Sequence, residues 1–362
     1  MKLFKAEEGS TSQLIQFCIG YFLLYVITGI SVKYFLGSPE QGFPGMPELH
    51  YLVYNTIGGN LLALVIVLMF RWYRMQSNSY SIFLGRKIPS ELLYIIPSGI
   101  CTAVVIPTTT LMYTLPISVM VAMVIMRGSI IVISRIIDAV QIKQGILTKK
   151  VYWEENAAVI FAVIAVAANL VNMKPGSFDF IGSTAAMTIL TSYLIAYSIR
   201  IYIMNYYKNT RGKGVKQDNK AFFAIEQIAA TLSMLLGGII IYNSIDLFGW
   251  NIEQIIEFRE AFTTPDNLWE WAMISGLAFG LLAFFSVFIF MFKGRTATFA
   301  GLVNRLTSLI AGTAATLIFA VVFGGKYPET EDWITLGFIL IAVAFLTKAE
   351  KKRARELKLT GN

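Results

Sequence analysis

The sequence predicts an all-α integral membrane protein with ten transmembrane helices, arranged as two inverted five-helix repeats, and with both termini cytoplasmic. Three observations point there. The 362 residues are 56% hydrophobic and only 14% charged, too apolar for a soluble globular chain. Ten windows of roughly 20 apolar residues, each able to cross about 30 Å of hydrocarbon, recur along the chain. Basic residues collect on alternate connections: 23 of the 30 Lys and Arg fall on one side when the N-terminus is placed inside, 4 fall outside, and Arg127, Arg200 and Arg305 lie within spans.

The first span, centred on Leu23, carries Tyr21 and Tyr25 one turn apart and "GIS" at 29–31. It is too long, and too poor in small cleavage-site residues, for a removed signal peptide. His50 stands at the entrance of the second span, centred on Leu62, with no ligand-type partner near it in sequence, and reads as an interfacial residue. "GGN" at 58–60 in that span suits close helix packing. In the third, centred on Val104, Pro107 precedes Thr108, Thr109 and Thr110, then Tyr113. Such hydroxyls bond either a ligand in a cavity or the carbonyl four residues back.

Arg127 sits at the middle of the fourth span; the fifth is centred on Ile164. The sixth, around Ser192, repeats the tyrosine pair as Tyr193 and Tyr197 and adds Arg200. Both tyrosine pairs read first as packing, with stacking on a ligand ring as the alternative. The seventh, around Ser233, carries Glu226, the one acid placed within a span, and "GG" at 237–238, again suited to close packing. Residues 244–268 form a long outer connection whose Ile252, Ile255, Ile256 and Phe262 predict a short helix on the surface. The eighth span, around Leu282, ends in "FFSVFIFMF", lipid-facing or core. Arg305 lies in the ninth, around Ile310, and the tenth, around Ile341, runs into a basic tail.

The repeat rests on the two mid-span arginines. "TATFAGLVNRLTSL" from Thr296 lies over "SVMVAMVIMRGSII" from Ser118, so Arg305 matches Arg127 and Thr307 matches Ser129. "PSGI" at 97–100 matches "ISGL" at 274–277, and Tyr21/Tyr25 echo Tyr193/Tyr197. The fourth and ninth spans run in opposite directions, yet each arginine falls near the midplane. Residues 1–174 and 175–349 are therefore read as the repeats, joined in the outer "VNMKPGSFD" loop, with 350–362 as a basic cytoplasmic tail.

An arginine at the bilayer centre costs from about 3 to more than 10 kcal/mol unless it faces a bundle interior or wet cavity. Both arginines are thus expected to point inward, toward the axis where transporter substrates bind, and their guanidinium forks suit carboxylate or phosphate. The candidate substrate-binding set is Arg127, Arg305, Asn304, Thr109, Tyr113, Ser129, Tyr25 and Tyr197. Glu226 and Arg200 form a candidate coupling site or ion pair. If both arginines line the site, exchange of anions is favoured over uniport, because a returning anion spares the empty carrier its uncompensated charge.

Ten spans in two inverted halves, with "PTTTLMYTLPISVMVAMVIMRGSIIVIS" across the third and fourth, resemble the drug/metabolite transporter (EamA-like) superfamily. The "LMY...S...MRG.II" pattern from Leu111 to Ile131 and the Arg305 helix are most similar to solute carrier 35 type, nucleotide-sugar-transporter-like members, the F group in particular. The resemblance implies secondary-active transport of a nucleotide sugar, phosphate ester or carboxylate by alternating access. This chain departs from the sugar-phosphate translocators of that superfamily, which carry Lys-Arg where it has Asn304-Arg305.

Two other readings stand beside it: an exporter of cationic or neutral metabolites, with structural arginines and Glu226 in the site, and a non-transporting scaffold or receptor. No HExxH, GxSxG, P-loop or GxGxxG motif suggests an enzyme. Cys18 and Cys101 both fall in spans, so neither a disulfide framework, a metal site nor a cofactor is expected. The expected partners are a small-molecule substrate and the lipid bilayer, with a homodimer left open. The net charge of +8 is accounted for by the inside bias, without nucleic acid. The absence of an N-x-S/T sequon favours a bacterial inner membrane over a eukaryotic endomembrane.

Overall fold

The computed structural model describes residues 9–114, 119–168, 182–212, 214–325, 327–328 and 330–359. In chain order the elements are α1 (Thr11–Phe35), α2 (Glu48–Met69), a hairpin of β1 (Tyr80–Phe83) and β2 (Arg86–Pro89), α3 (Leu92–Thr114), α4 (Val119–Lys143), α5 (Trp153–Ala168), α6 (Thr184–Asn209), α7 (Asn219–Phe248), α8 (Glu253–Thr263), α9 (Trp269–Phe290), α10 (Ala297–Phe323) and α11 (Thr330–Leu359). Each expected span centre falls in one of the ten longer helices, and among the described residues eight of them are long and apolar enough to cross a membrane. The expected break between repeats, near residue 174, lies outside the described residues.

Side chains close several helix starts. Ser10, Ser183, Asp218 and Thr296 each accept a backbone N–H in the first turn of α1, α6, α7 and α10. Gly249 and Gly324, at φ 68° and 72°, end α7 and α10 in the left-handed conformation that glycine adopts without cost.

Packing partly obeys a pseudo-two-fold exchange of α1 with α6, α2 with α7, α3 with α9, α4 with α10 and α5 with α11. Under it the pair α2–α9 becomes α7–α3, α1–α9 becomes α6–α3, α1–α10 becomes α6–α4, and α10–α11 becomes α4–α5; all of these pairs are in contact. α4–α10, α5–α11 and α2–α7 map onto themselves. The two matched SGx motifs mark one such correspondence. A Cβ on Gly276 of α9 would stand 2.1 Å from the Asn55 carbonyl of α2, and one on Gly99 of α3 would stand 2.6 Å from the Glu226 carbonyl of α7. Only glycine lets those backbones approach so closely.

Several expectations change. Gly58 and Gly59 do bring α2 against α9, but Gly237 faces open space, so the 237–238 pair is no packing motif. Of the two readings of the 284–292 run, lipid-facing or core, the core one holds at Phe284, Val287 and Phe290. α11 continues as helix through residues 350–359, where Glu350 and Arg353 are buried in ion pairs. The short surface helix forms as α8, seated on α2 and α7 through Ile255 and Ala261, while Ile252 and Phe262 are exposed. The β hairpin leaves no sign in the sequence, because four-residue strands are too short to show a periodicity. Its turn puts Leu84 at φ 46° and Gly85 at φ 74°, the two left-handed positions of a type I′ turn.

Candidate functional site

The two arginines make corresponding contacts under the pseudo-two-fold exchange. Arg127 of α4 donates from Nη2 to the hydroxyl of Tyr25 on α1 at 3.1 Å, and its guanidinium lies 5.9 Å from that ring's centroid. Arg305 of α10 donates from Nη2 to the hydroxyl of Tyr197 on α6, with its guanidinium 5.0 Å from that ring. Behind each sits a second tyrosine in the same relation: Tyr21 packs on Tyr25 at 5.7 Å and 54°, Tyr193 on Tyr197 at 5.4 Å and 52°. The i, i+4 spacing places each pair on one helix face, and α1–α10 and α6–α4 are corresponding contacts. All four tyrosines lie within electrostatic reach of Arg305, and both arginines within reach of Tyr21, so the clamps share one central region. Among the described residues no carboxylate pairs with Arg305, and its buried Nε has no hydrogen-bond partner.

The remaining predicted residues divide. Asn304 is buried beside Arg305; its amide nitrogen donates to the Ser286 hydroxyl at 3.0 Å and its oxygen accepts from Tyr21 at 3.4 Å. Thr109 is half-buried and donates back to the Val105 carbonyl at 2.7 Å, as Thr108 does to Val104, so both hydroxyls serve the backbone after Pro107. Ser129 is half-buried but stands roughly 200° around α4 from Arg127, away from its contacts. The side chains of Thr110 and Tyr113 lie outside those described.

Glu226 and Arg200 form a buried bidentate ion pair: Arg200 Nε and Nη2 donate to the two carboxylate oxygens at 2.9 and 3.0 Å, and the Ser98 hydroxyl adds a third bond at 2.6 Å. The pair links α3, α6 and α7. Arg200 also lies 6.0 Å from the Tyr197 ring, on which Arg305 rests. At the corresponding crossing of α1, α2 and α9 stand Thr28, Asn55 and Ser275. Asn55 donates to Ser275 at 3.0 Å, and Thr28 bonds back to the Leu24 carbonyl. The same helix crossing is thus built once with a charge pair and once without charge.

A second polar cluster, at the helix ends carrying most of the basic residues, was missed from sequence. Asp138 of α4 accepts from the backbone N–H of Ala297 and Thr298 at 2.9 and 2.6 Å, neutralising the start of α10. Glu155 of α5 accepts from the Thr296 hydroxyl at 2.7 Å and pairs with Arg353 at 3.5 Å; Glu350 pairs with Arg295 and accepts from Thr11 at 2.8 Å. Asp138 and Glu155 are thus buried acids besides Glu226, placed at helix ends rather than in mid-helix. One signal was available, since Asp138 follows Arg127 by about three helical turns and shares its face. Lys149, in the adjoining connection, is pushed down to about 8 by burial and then by the charges of Arg353, Arg295 and Lys293. At the opposite end His50 does have a partner, Asp266 at 2.6 Å, distant in sequence and brought in by the connection before α9.

Two open grooves of about 440 and 410 Å³ lie on the bundle's flanks, one beside Tyr34 and Trp271, the other beside Tyr73 and Ile225; neither is lined by the arginines. The protein is a membrane-embedded helical bundle with charged and polar side chains buried inside it.

No protein-family model matches the chain, and no curated protein does. A solved structure, described only as "Crystal structure of protein", aligns over 94% of this chain and 99% of its own at 14% identity, with a TM-score of 0.55. At that identity the likeness is one of fold alone.

Proposed function

We propose that the protein is a secondary-active transporter of the drug/metabolite type, with ten spans in two inverted five-helix repeats, cytoplasmic termini, and an organic anion bound between Arg127 and Arg305. The observation that carries this reading is the pair of Arg–Tyr clamps, Arg127–Tyr25 and Arg305–Tyr197, related by the same exchange that relates the helices. Two guanidinium groups held by phenol hydroxyls, with Arg305 free of any carboxylate among the described residues, suit a carboxylate or phosphate-bearing solute such as a nucleotide sugar. Asn304, fixed by Ser286, adds a neutral donor and acceptor where a second cation would favour a smaller phosphate ester.

Alternating access then requires the Asp138, Glu155 and Glu350 cluster to part whenever the inner side opens, because it ties α4, α5, α10 and α11 at that end. A returning anion lowers the cost of moving the two clamps through the closed state, which favours exchange. The competing reading, a cation exporter using Glu226, fits less well: both oxygens of that carboxylate are already taken by Arg200 and Ser98.

The test is a thermal-shift screen of the purified protein against nucleotide sugars, sugar phosphates, dicarboxylates and organic cations, repeated on Arg305→Ala. A ligand at about 100 times its dissociation constant adds roughly 2.7 kcal/mol. The expected result is an anion that stabilises the wild type and not the variant. Stabilisation by cations alone, or an anion response that survives in Arg305→Ala, overturns the clamp.

A further inference from the structure

The hairpin between α2 and α3 is built as a rigid stalk with an apolar tip. Its base is tied to the bundle: buried Glu91 accepts from the Asn78 backbone N–H at 2.6 Å and from Arg211 at 2.8 Å, and the Asn78 side chain donates to the Thr210 carbonyl at 2.9 Å while accepting from Gly212 N–H at 2.9 Å. The base is therefore docked on the connection between α6 and α7. Its tip is another matter. Ile82 and Leu84 are 82% and 89% exposed, and Phe83 and Tyr80 more than half exposed, although the backbone ladder pairs Tyr80 with Pro89 through Phe83 with Arg86.

Position and charge decide what covers it. The chain leaves α2 at Met69 and enters α3 at Leu92, so the hairpin hangs between two candidate spans at the helix ends rich in basic residues. Arg86 and Lys87 stand opposite Phe83 and Ile82 in the ladder, with Arg71 and Arg74 exposed at the root. Ile82, Phe83 and Leu84 are three adjacent large apolar residues left exposed at this tip. Apolar and aromatic residues interleaved with cations are what an interface of acyl chains and anionic headgroups accommodates.

We propose that the 80–89 hairpin is a lipid-binding foot: Ile82, Phe83 and Leu84 enter the inner leaflet next to the helix bundle, and Arg86 and Lys87 hold anionic phospholipid headgroups. This rests on the chain being membrane-embedded and on nothing about the transported solute.

The experiment uses the full chain with Cys18 and Cys101 replaced by alanine and Leu84→Cys carrying an environment-sensitive fluorophore. The protein is placed in nanodiscs of phosphatidylcholine alone or with one part in three phosphatidylglycerol. The expected result is a blue-shifted emission, quenched by headgroup-proximal doxyl lipid, in the anionic discs. Adding Arg86→Gln and Lys87→Gln weakens that insertion about thirtyfold, the combined effect of two cations at an anionic surface. A probe at exposed Thr148 in a neighbouring connection reports water in both discs. The unlabelled wild type supplies a second readout: tryptic cleavage after Lys87 is slower in anionic than in phosphatidylcholine discs. Water-like emission at position 84 in both discs, equal insertion in both lipids, or burial of the probe only after a soluble protein is added would each overturn the assignment.

Discussion

Removing one partner of the Arg200–Glu226 pair tests the comparison between the two halves directly. Glu226→Ala leaves Arg200 buried, with two of its donors and the Ser98 hydroxyl unpaired. Breaking a buried ion pair from one side costs about 3–5 kcal/mol. At about 2–4 °C per kcal/mol, the melting temperature falls by roughly 10 °C. Importing the neutral set from the corresponding crossing, as Arg200→Thr with Glu226→Asn, removes both charges and leaves groups that Ser98 can bond. Such a double replacement is expected within about 1 kcal/mol of wild type, because a buried pair gives little net stability over a well-packed neutral set. The double-mutant cycle through Arg200→Thr, Glu226→Asn and their combination therefore shows an interaction energy of about 5 kcal/mol or more. Tryptophan fluorescence during heating in detergent reads all of these variants. If the single and double replacements are equally destabilised, the neutral Thr28–Asn55–Ser275 crossing is not its structural equivalent and the reasoning fails. If the double variant keeps its stability but loses the anion-induced shift, the pair acts on the site, through the Tyr197 ring that Arg200 and Arg305 share.

Three further outcomes follow from the geometry. Tyr197→Phe removes a hydrogen bond to a charged group and should cost about 1.5–3 kcal/mol, with a weakened anion shift; an unchanged melting curve would mean that Arg305 finds another acceptor. Gly276→Ala must push α9 off the Asn55 carbonyl and should cost about 1–3 kcal/mol, whereas Gly237→Ala, facing open space, should gain up to about 1 kcal/mol of helix propensity; equal responses would contradict the packing assigned to the two sites. Lys149 has a folded-state pKa near 8 against an ordinary value of 10.5, so between those values the unfolded chain holds more protons than the folded one. This lysine's contribution to stability is then unfavourable below pH 8 and improves as the pH rises from 8 to 10.5. Lys149→Gln should raise the melting temperature at pH 7 and flatten its rise toward pH 10, and a profile parallel to wild type would show that the side chain stays solvated.

Much of this was readable in one dimension. Spans are visible because hydrocarbon demands some 20 consecutive apolar residues, and Arg127 and Arg305 stand out because a charge there is costly wherever it points. The tyrosine pairs are visible too, and their spacing reads first as packing; that each lends a hydroxyl to an arginine of another helix depends on which helices cross. The short hairpin, the His50–Asp266 contact and the helical course of 350–359 escaped for related reasons: four residues are too few for a periodicity, and a partner 216 positions away leaves no local trace.

Residue content alone determined that the chain carries long apolar segments suited to a membrane, which connections are basic and that Arg127 and Arg305 interrupt two of those segments, since each follows from transfer energies of single segments. Tertiary structure decided what those charges touch. Only the packing of α1 on α10 and α6 on α4 turns two matched arginines into two matched clamps. Only the crossing of α3, α6 and α7 shows that Glu226 is spent on Arg200, and that the corresponding crossing needs no charge at all. Pairing energies depend on distance and burial between helices far apart in sequence, and no local pattern encodes those.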